Sequence, residues 1–284
     1  MEINKLGVIG AGQMGAGIAQ VAAQAGLSVV ITDVDDNRLD AGRAAIESSM
    51  QRLVKKERLS QDEMQQAFER LTLTTDIAQH SDRQIVIEAV PEMEELKQTI
   101  LQSVESVCAK DAIIASNTSS ISITRLGSTL QSPSRFIGMH FMNPVPIMEL
   151  VEVIRGAATD QATCDQTIAL ANRLGKQTTI ANDFPGFISN RILMPMINEA
   201  FCALMEGVGT AEDIDLTMKL GAGHPIGPLA LADLIGLDTC LSIMEILHAE
   251  LGDSKYRPCP LLRRHVAAGW LGRKTEKGVF TYGD

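Results

Sequence analysis

With 284 residues, 45% hydrophobic and 21% charged, the chain suits one large or two modest globular domains, with ample material for a core. A formal net charge of −10 argues against a general nucleic-acid binder, which needs a basic face, and 4% aromatics is too few for a base-stacking platform. The start carries no apolar h-region, no uncharged apolar run nears the ~18 residues of a membrane span, and none of the five cysteines forms a CxxC pair. The expectation is a cytoplasmic protein with reduced thiols, no secretory signal and no metal site.

The opening "KLGVIGAGQMGAGIAQVAAQAGLSVVITDVD" reads as strand, glycine turn, helix, strand. Gly10, Gly12 and Gly15 form G-x-G-x-x-G. The first permits a tight turn, the second lets backbone approach a pyrophosphate, and the third lets helix and strand pack closely. The helix that follows offers free N–H groups to an anion. Asp33 ends the second strand about twenty residues on, where a carboxylate can accept from a ribose 2′-OH and would repel a 2′-phosphate. That context favours NAD over NADP.

The next clear strand is "QIVIEAV", residues 84–90. The gap of roughly fifty residues is too long for an ordinary βαβ unit. Helical apolar spacing from Leu39 to Val54, then Ser60 and Glu63 at capping-box positions, predict a helical hairpin at about 37–70 projecting from the sheet. Ser49, Arg52 and Lys56 share a face of its first helix, with Lys55 and Arg58 beside them. This densest basic cluster of an acidic chain reads either as a solvated face or as a dock for a polyanion.

"AIIASNTSSISI" reads as a buried strand, a polar turn and a short helix, so Ser119 stands where a doubly wound sheet binds ligands, or else caps the helix. Glu92 and Lys97 open the helix after the preceding strand, as ligand contacts or as caps. "RFIGMHF" is a strand with His140 near its carboxyl end, "NPVP" breaks the chain, and "IMELVEVI" resumes as a strand. A chain folding back there brings Glu152 to the imidazole, a pairing suited to acid–base chemistry. From Pro185 the chain reads as all-helical, starting with a helix that has Pro185 in its first turn and runs to Glu206. The run 229–247 is apolar on more than one face, which predicts burial against another subunit in a homodimer.

Taken in order, "GVIGAGQMGAGIA", "SNTSS", "HFMNPVPIMELVEV", "DFPGFISNRI", "GHPIGPLALADLIGLD" and "GRKTEKGVFTYG" resemble the short, single-function L-3-hydroxyacyl-CoA dehydrogenases, and the resemblance covers nearly the whole chain. It implies an α/β fold: a Rossmann-type doubly wound sheet with an inserted helical hairpin over 1–184, and a helical substrate and dimerisation domain over 185–284. It implies His140 as catalytic base with Glu152 as partner, and Ser119 and Asn190 as substrate contacts. Ser49 and Lys56 take coenzyme A positions, which turns the reading of the basic cluster toward a dock for the CoA phosphates. Asp33, Glu92, Lys97, Asn143 and Lys274 join the glycine turn as NAD contacts. The implied reaction is reversible NAD-dependent oxidation of an (S)-3-hydroxyacyl-CoA, with a short C4 acyl chain favoured. The competing readings are a dehydrogenase of free β-hydroxy acids and a non-enzymatic, crystallin-like relative.

Overall fold

Strands that are apolar along their length need cover on both faces, which a parallel sheet flanked by helices provides. A computed structural model describes residues 2–283. One compact unit runs through Phe184 and a second begins at Pro185. The first contains β1 (Lys5–Ile9), β2 (Ser28–Thr32), β3 (Leu71–Thr74), β4 (Ile85–Glu88), β5 (Ile113–Ser116), β6 (Phe136–Phe141), β7 (Leu150–Arg155) and β8 (Gln177–Asn182). Among the described residues they form one eight-stranded sheet in the order β3-β2-β1-β4-β5-β6-β7-β8. Pairing is parallel from β3 to β6, β7 runs antiparallel to β6, and β8 lies parallel to β7. The central strands β4, β5 and β6 are buried at every position.

Helices α1 (Gln13–Gln24), α2 (Asp36–Lys55), α3 (Gln61–Glu69), α4 (Glu94–Val107), α5 (Ile123–Gly127) and α6 (Gln161–Arg173) complete this unit. The hairpin is α2 and α3, and its capping box is formed: Ser60 Oγ accepts from Glu63 N at 3.1 Å and Glu63 Oε2 from Ser60 N at 2.8 Å. It does not project from the sheet as its sequence predicts. Leu39, Ile46 and Met50 of α2 and Met64 and Ala67 of α3 join the same apolar core as the sheet and α1. Gly42 lets α2 approach the glycine turn so closely that a Cβ there would stand 2.6 Å from the Ala11 carbonyl oxygen. The opposite face of both helices is exposed along its length, and at the far end of the hairpin Lys55–Arg58 are all exposed. The long crossover also hides β3, whose four residues "LTLT" are too short to announce a strand.

The second unit is helical: α7 (Ser189–Met205), α8 (Ala211–Gly221), α9 (Pro228–Ile235), α10 (Leu237–Leu251) and α11 (Pro260–Ala267). Helix α7 starts four residues later than the position of Pro185 predicts, because Gly186 and Phe187 both take positive φ and interrupt the helical path. The apolar run 229–247 is split between α9 and α10 at Gly236, which has φ 105°. Its inward side chains, among them Leu229, Leu237, Ile243, Met244 and Leu247, close a core with Met194, Ile197 and Phe201 of α7. Two buried acids tie the loops. Asp215 accepts from Leu229 N and Ala230 N at the start of α9, and Asp233 from Val279 N, Phe280 N and the Tyr282 hydroxyl.

Candidate active site

The glycine turn follows β1. Gly10 has φ 102°, and a Cβ on Gly15 would lie 1.8 Å from the Gly10 carbonyl oxygen, so the chain itself forbids side chains at both. Gly12 differs: a Cβ there meets nothing within 4 Å. It is the N-cap of α1 and provides no side-chain cap, so the first-turn amides face open space. Asp33 Oδ2 accepts from Ala11 N at 2.7 Å and Oδ1 from Val34 N at 2.7 Å, which docks the carboxylate against the turn.

A cleft of about 530 Å³ opens here, lined by Gly12, Asp33, Arg38, Ser49, Arg52 and Asn143 among others. The structure thus brings Ser49 into the same space as the glycine turn. Lys56 is the exposed C-cap residue of α2 and does not line the cleft. Arg38 escaped the sequence reading, although its spacing carried the signal: Arg38, Ser49 and Arg52 stand at i, i+11 and i+14, within about 60° of one another around a helix of 3.6 residues per turn.

At the carboxyl end of β6, His140 is the register partner of Glu152 on β7. Directly opposed residues of antiparallel strands project from the same face, so the side chains meet. His140 Nδ1 lies 2.8 Å from Glu152 Oε2, with the histidine 8% and the glutamate 1% exposed. An ionised carboxylate only accepts, so Nδ1 carries a proton, and Nε2 is the nitrogen that accepts one when the ring is neutral. The end of β5 is tied to this point by Asn117, whose Oδ1 accepts from Phe141 N at 2.9 Å.

Between the turn and His140 lies a buried charge network. Lys97 is 1% exposed and its Nζ donates to Glu88 Oε1 at 2.7 Å and to the Val90 carbonyl at 3.2 Å, and ion-pairs with Glu92 Oε2 at 3.3 Å. Ser116 donates to Glu88 Oε2. Glu92 Oε1 accepts from Thr118 Oγ1 and from the amides and hydroxyls of Ser119 and Ser120 at 2.6–3.1 Å. Burial alone would raise the Glu92 carboxyl, but the Lys97 ammonium and these donors outweigh it and hold it below the usual carboxylate range. Lys97 therefore spends its protons inside the protein and meets Glu92 there, and Ser119 is oriented by Glu92 rather than capping α5, a role Ser122 fills. Glu88 is not legible from sequence, and Asn117 is legible only as part of the polar turn at a strand end, since a polar residue ending an apolar strand gives no sign of its partner.

Asn143 is exposed on the loop after β6, joined to Pro144 by a cis peptide bond. In the second unit, Asn190 is buried in the first turn of α7, and Lys274 pairs with Asp238 at 2.6 Å. Among the described residues, no group of three His, Cys, Asp or Glu is placed to hold a metal, and no helix is long and apolar enough to cross a membrane. Burial pushes Cys108 up to about 11 and Cys240 to about 12, so these two thiols are poor nucleophiles.

Residues 5–184 match the sequence model described as 3-hydroxyacyl-CoA dehydrogenase, NAD binding domain, and residues 186–282 match its C-terminal domain. The chain is 55% identical over 280 residues to the 3-hydroxybutyryl-CoA dehydrogenase of Bradyrhizobium diazoefficiens, covering 99% of this chain and 96% of that one. It is 51% identical over 284 residues to a probable 3-hydroxybutyryl-CoA dehydrogenase of Bacillus subtilis, with 99% and 98% covered. Among solved structures, the (S)-3-hydroxybutyryl-CoA dehydrogenase PaaH1 of Ralstonia eutropha superposes with a TM-score of 0.97 at 50% identity, covering all of both chains. FadB2 of M. tuberculosis gives 0.98 at 42% identity, again over the full length of both.

Proposed function

Because this chain belongs to the 3-hydroxyacyl-CoA dehydrogenase family, an NAD-dependent oxidoreductase family, we propose that its substrate is (S)-3-hydroxybutyryl-CoA, oxidised reversibly to the 3-oxoacyl-CoA in fatty-acid or related acyl-CoA metabolism. The observation that carries the reading is the buried His140–Glu152 pair on the sheet that bears the glycine turn and Asp33.

NAD, when bound, supplies the hydride acceptor. The residues present fit it: the open space at Gly12 and the uncapped amides of α1 suit a pyrophosphate, and the docked Asp33 carboxylate suits a ribose diol. Asn143 contributes from the cleft wall and Glu92 from the loop between β4 and α4, and the family resemblance adds Lys274. Lys97 acts through Glu92, since its own protons are taken.

Nε2 of His140 takes the proton of the substrate hydroxyl as the C3 hydride leaves. Glu152 holds the ring in the tautomer that exposes this lone pair and stabilises the imidazolium as it forms. Ser119 and Asn190 hold the reacting oxygen and the thioester region. Ser49 and Lys56 bind the coenzyme A phosphates, and Arg38 and Arg52 strengthen that positive field.

The second unit serves substrate binding and dimerisation. Ile192 on α7, Val208 in the turn after it, and Leu216 and Leu220 on α8 are exposed, which supports a homodimer built through this region. Five free thiols accord with a cytoplasmic location.

The decisive assay is NADH oxidation with acetoacetyl-CoA against free acetoacetate. We expect turnover with the thioester and at least about a hundredfold lower kcat/KM with the free acid, since the acid forgoes the binding energy of the CoA moiety. Comparable efficiency with both would return the enzyme to the free β-hydroxy acid class, and no turnover with either would point to a non-enzymatic relative.

A further inference from the structure

Lys176 follows α6 and precedes β8, and it is 8% exposed. Its Nζ donates to the Val145 carbonyl at 2.6 Å and to the Met148 carbonyl at 2.8 Å. Burial lowers its ammonium from the usual lysine range, with Glu149 opposing that shift. Burying a cation against two neutral carbonyls is an expensive way to close a loop, since a backbone amide or a hydroxyl would do the same at lower desolvation cost.

The loop it grips joins β6, which carries His140, to β7, which carries Glu152. Asn143, Pro144, Val145 and Pro146 of this loop form one wall of the glycine-turn cleft. Val145 is buried against α1, close enough that a Cβ on Gly17 would stand 2.8 Å from the Val145 Cβ. Ile147 N and Met148 N both donate to the Pro144 carbonyl, which tightens the turn between the two carbonyls that Lys176 holds. The loop is therefore held on one side by α1 and on the other by Lys176.

We propose that Lys176 is a positioning residue for the dehydrogenase reaction, its ammonium clamping the 143–148 loop so that Asn143 is presented to the nicotinamide cofactor beside His140. This rests on the reading of Asn143 as a cofactor contact. Lys176 itself does not line the cleft.

The test is steady-state kinetics on the full-length enzyme. Lys176→Met keeps the stem and removes the donors. It should raise KM for NAD about tenfold, the scale of a modest misplacement of a positioning group, with KM for the acyl-CoA changed less than about threefold. Lys176→Arg can donate to both carbonyls and should restore KM for NAD to within about threefold of wild type. If Lys176→Met does not fold, Lys176→Gln, which donates to fewer acceptors, should show an intermediate rise in the same constant. The proposal is overturned if the folded Met or Gln variant binds NAD as wild type does, or if both KM values and kcat move together without rescue by Arg. Asn143→Ala run alongside separates the two readings. If it leaves KM for NAD unchanged, the cofactor role of the loop fails. If it raises KM while Lys176→Met does not, only the clamp fails.

Discussion

The first unit buries two histidines, and their surroundings give them opposite chemistry. His140 faces a carboxylate at 2.8 Å. His80, in a short turn before β4, places Nε2 2.8 Å from the Thr32 hydroxyl, and its buried Nδ1 has no hydrogen-bond partner among the described residues. Burial first, then Arg83, outweigh Asp76 and Asp82 and push His80 down to about 4, so it stays neutral at any ordinary pH. At His80 burial and Arg83 together keep the imidazole neutral although two aspartates lie near, whereas at His140 a buried carboxylate stands in hydrogen-bond contact with the ring.

The largest break in this comparison is His140→Gln. It should lower kcat by roughly two to four orders of magnitude, the range for losing a general base, while isothermal titration finds NAD affinity nearly unchanged. Glu152→Gln keeps the shape and removes the counter-charge. It should lower kcat by about two orders of magnitude, and the double variant should be little worse than His140→Gln, because groups that act as a unit are not additive. Losses that multiply in the double variant would mean that Glu152 works independently of the imidazole.

His80 sharpens the contrast through stability. Its folded pKa lies below the unfolded value of 6.5, so the unfolded chain binds the proton first. Stability from this site is intact above about pH 6.5 and is lost as pH falls from there toward 4, by about 3 kcal/mol at most at 1.4 kcal/mol per pH unit. Urea midpoints measured across that window should fall less steeply for His80→Gln than for wild type, with kcat at neutral pH unchanged. Parallel curves would remove His80 from the acid response. The smallest effect is Thr32→Val, which leaves Nε2 without its partner and should lower stability by about 1 kcal/mol with no change in turnover.

The two histidines also differ in how far they could be read in the sequence. His140 ends an apolar strand, two prolines force a turn, and Glu152 returns in a second strand, so period-two alternation was enough to bring them together. His80 lies in "DIAQHSD", where nothing periodic surrounds it and its contacts reach back to Gly7 and Thr32, so only the folded sheet reveals its burial. The same distinction runs through the fold. β1, β2, β4, β5, β6 and β7 were legible because they carry apolar or β-branched runs. β8, "QTTIAN", is an edge strand that is largely exposed and polar, and went unread together with α6 and β3. The glycine turn and Asp33 were legible because their spacing has a physical meaning. The links from Glu88 through Lys97 to Glu92 were not, since a buried charge network leaves no periodic trace and joins residues on three separate segments.

The glycines of the turn divide by whom they serve. Gly10 and Gly15 are demanded by the polypeptide, which would clash with itself if either bore a side chain. Gly12 is demanded by nothing in the chain. A methyl group placed there therefore separates two properties that mutations in active sites usually lose together. Gly12→Ala is the natural route to a fully folded, catalytically silent reference protein, against which fold-dependent signals in any ligand-binding experiment on this enzyme can be subtracted.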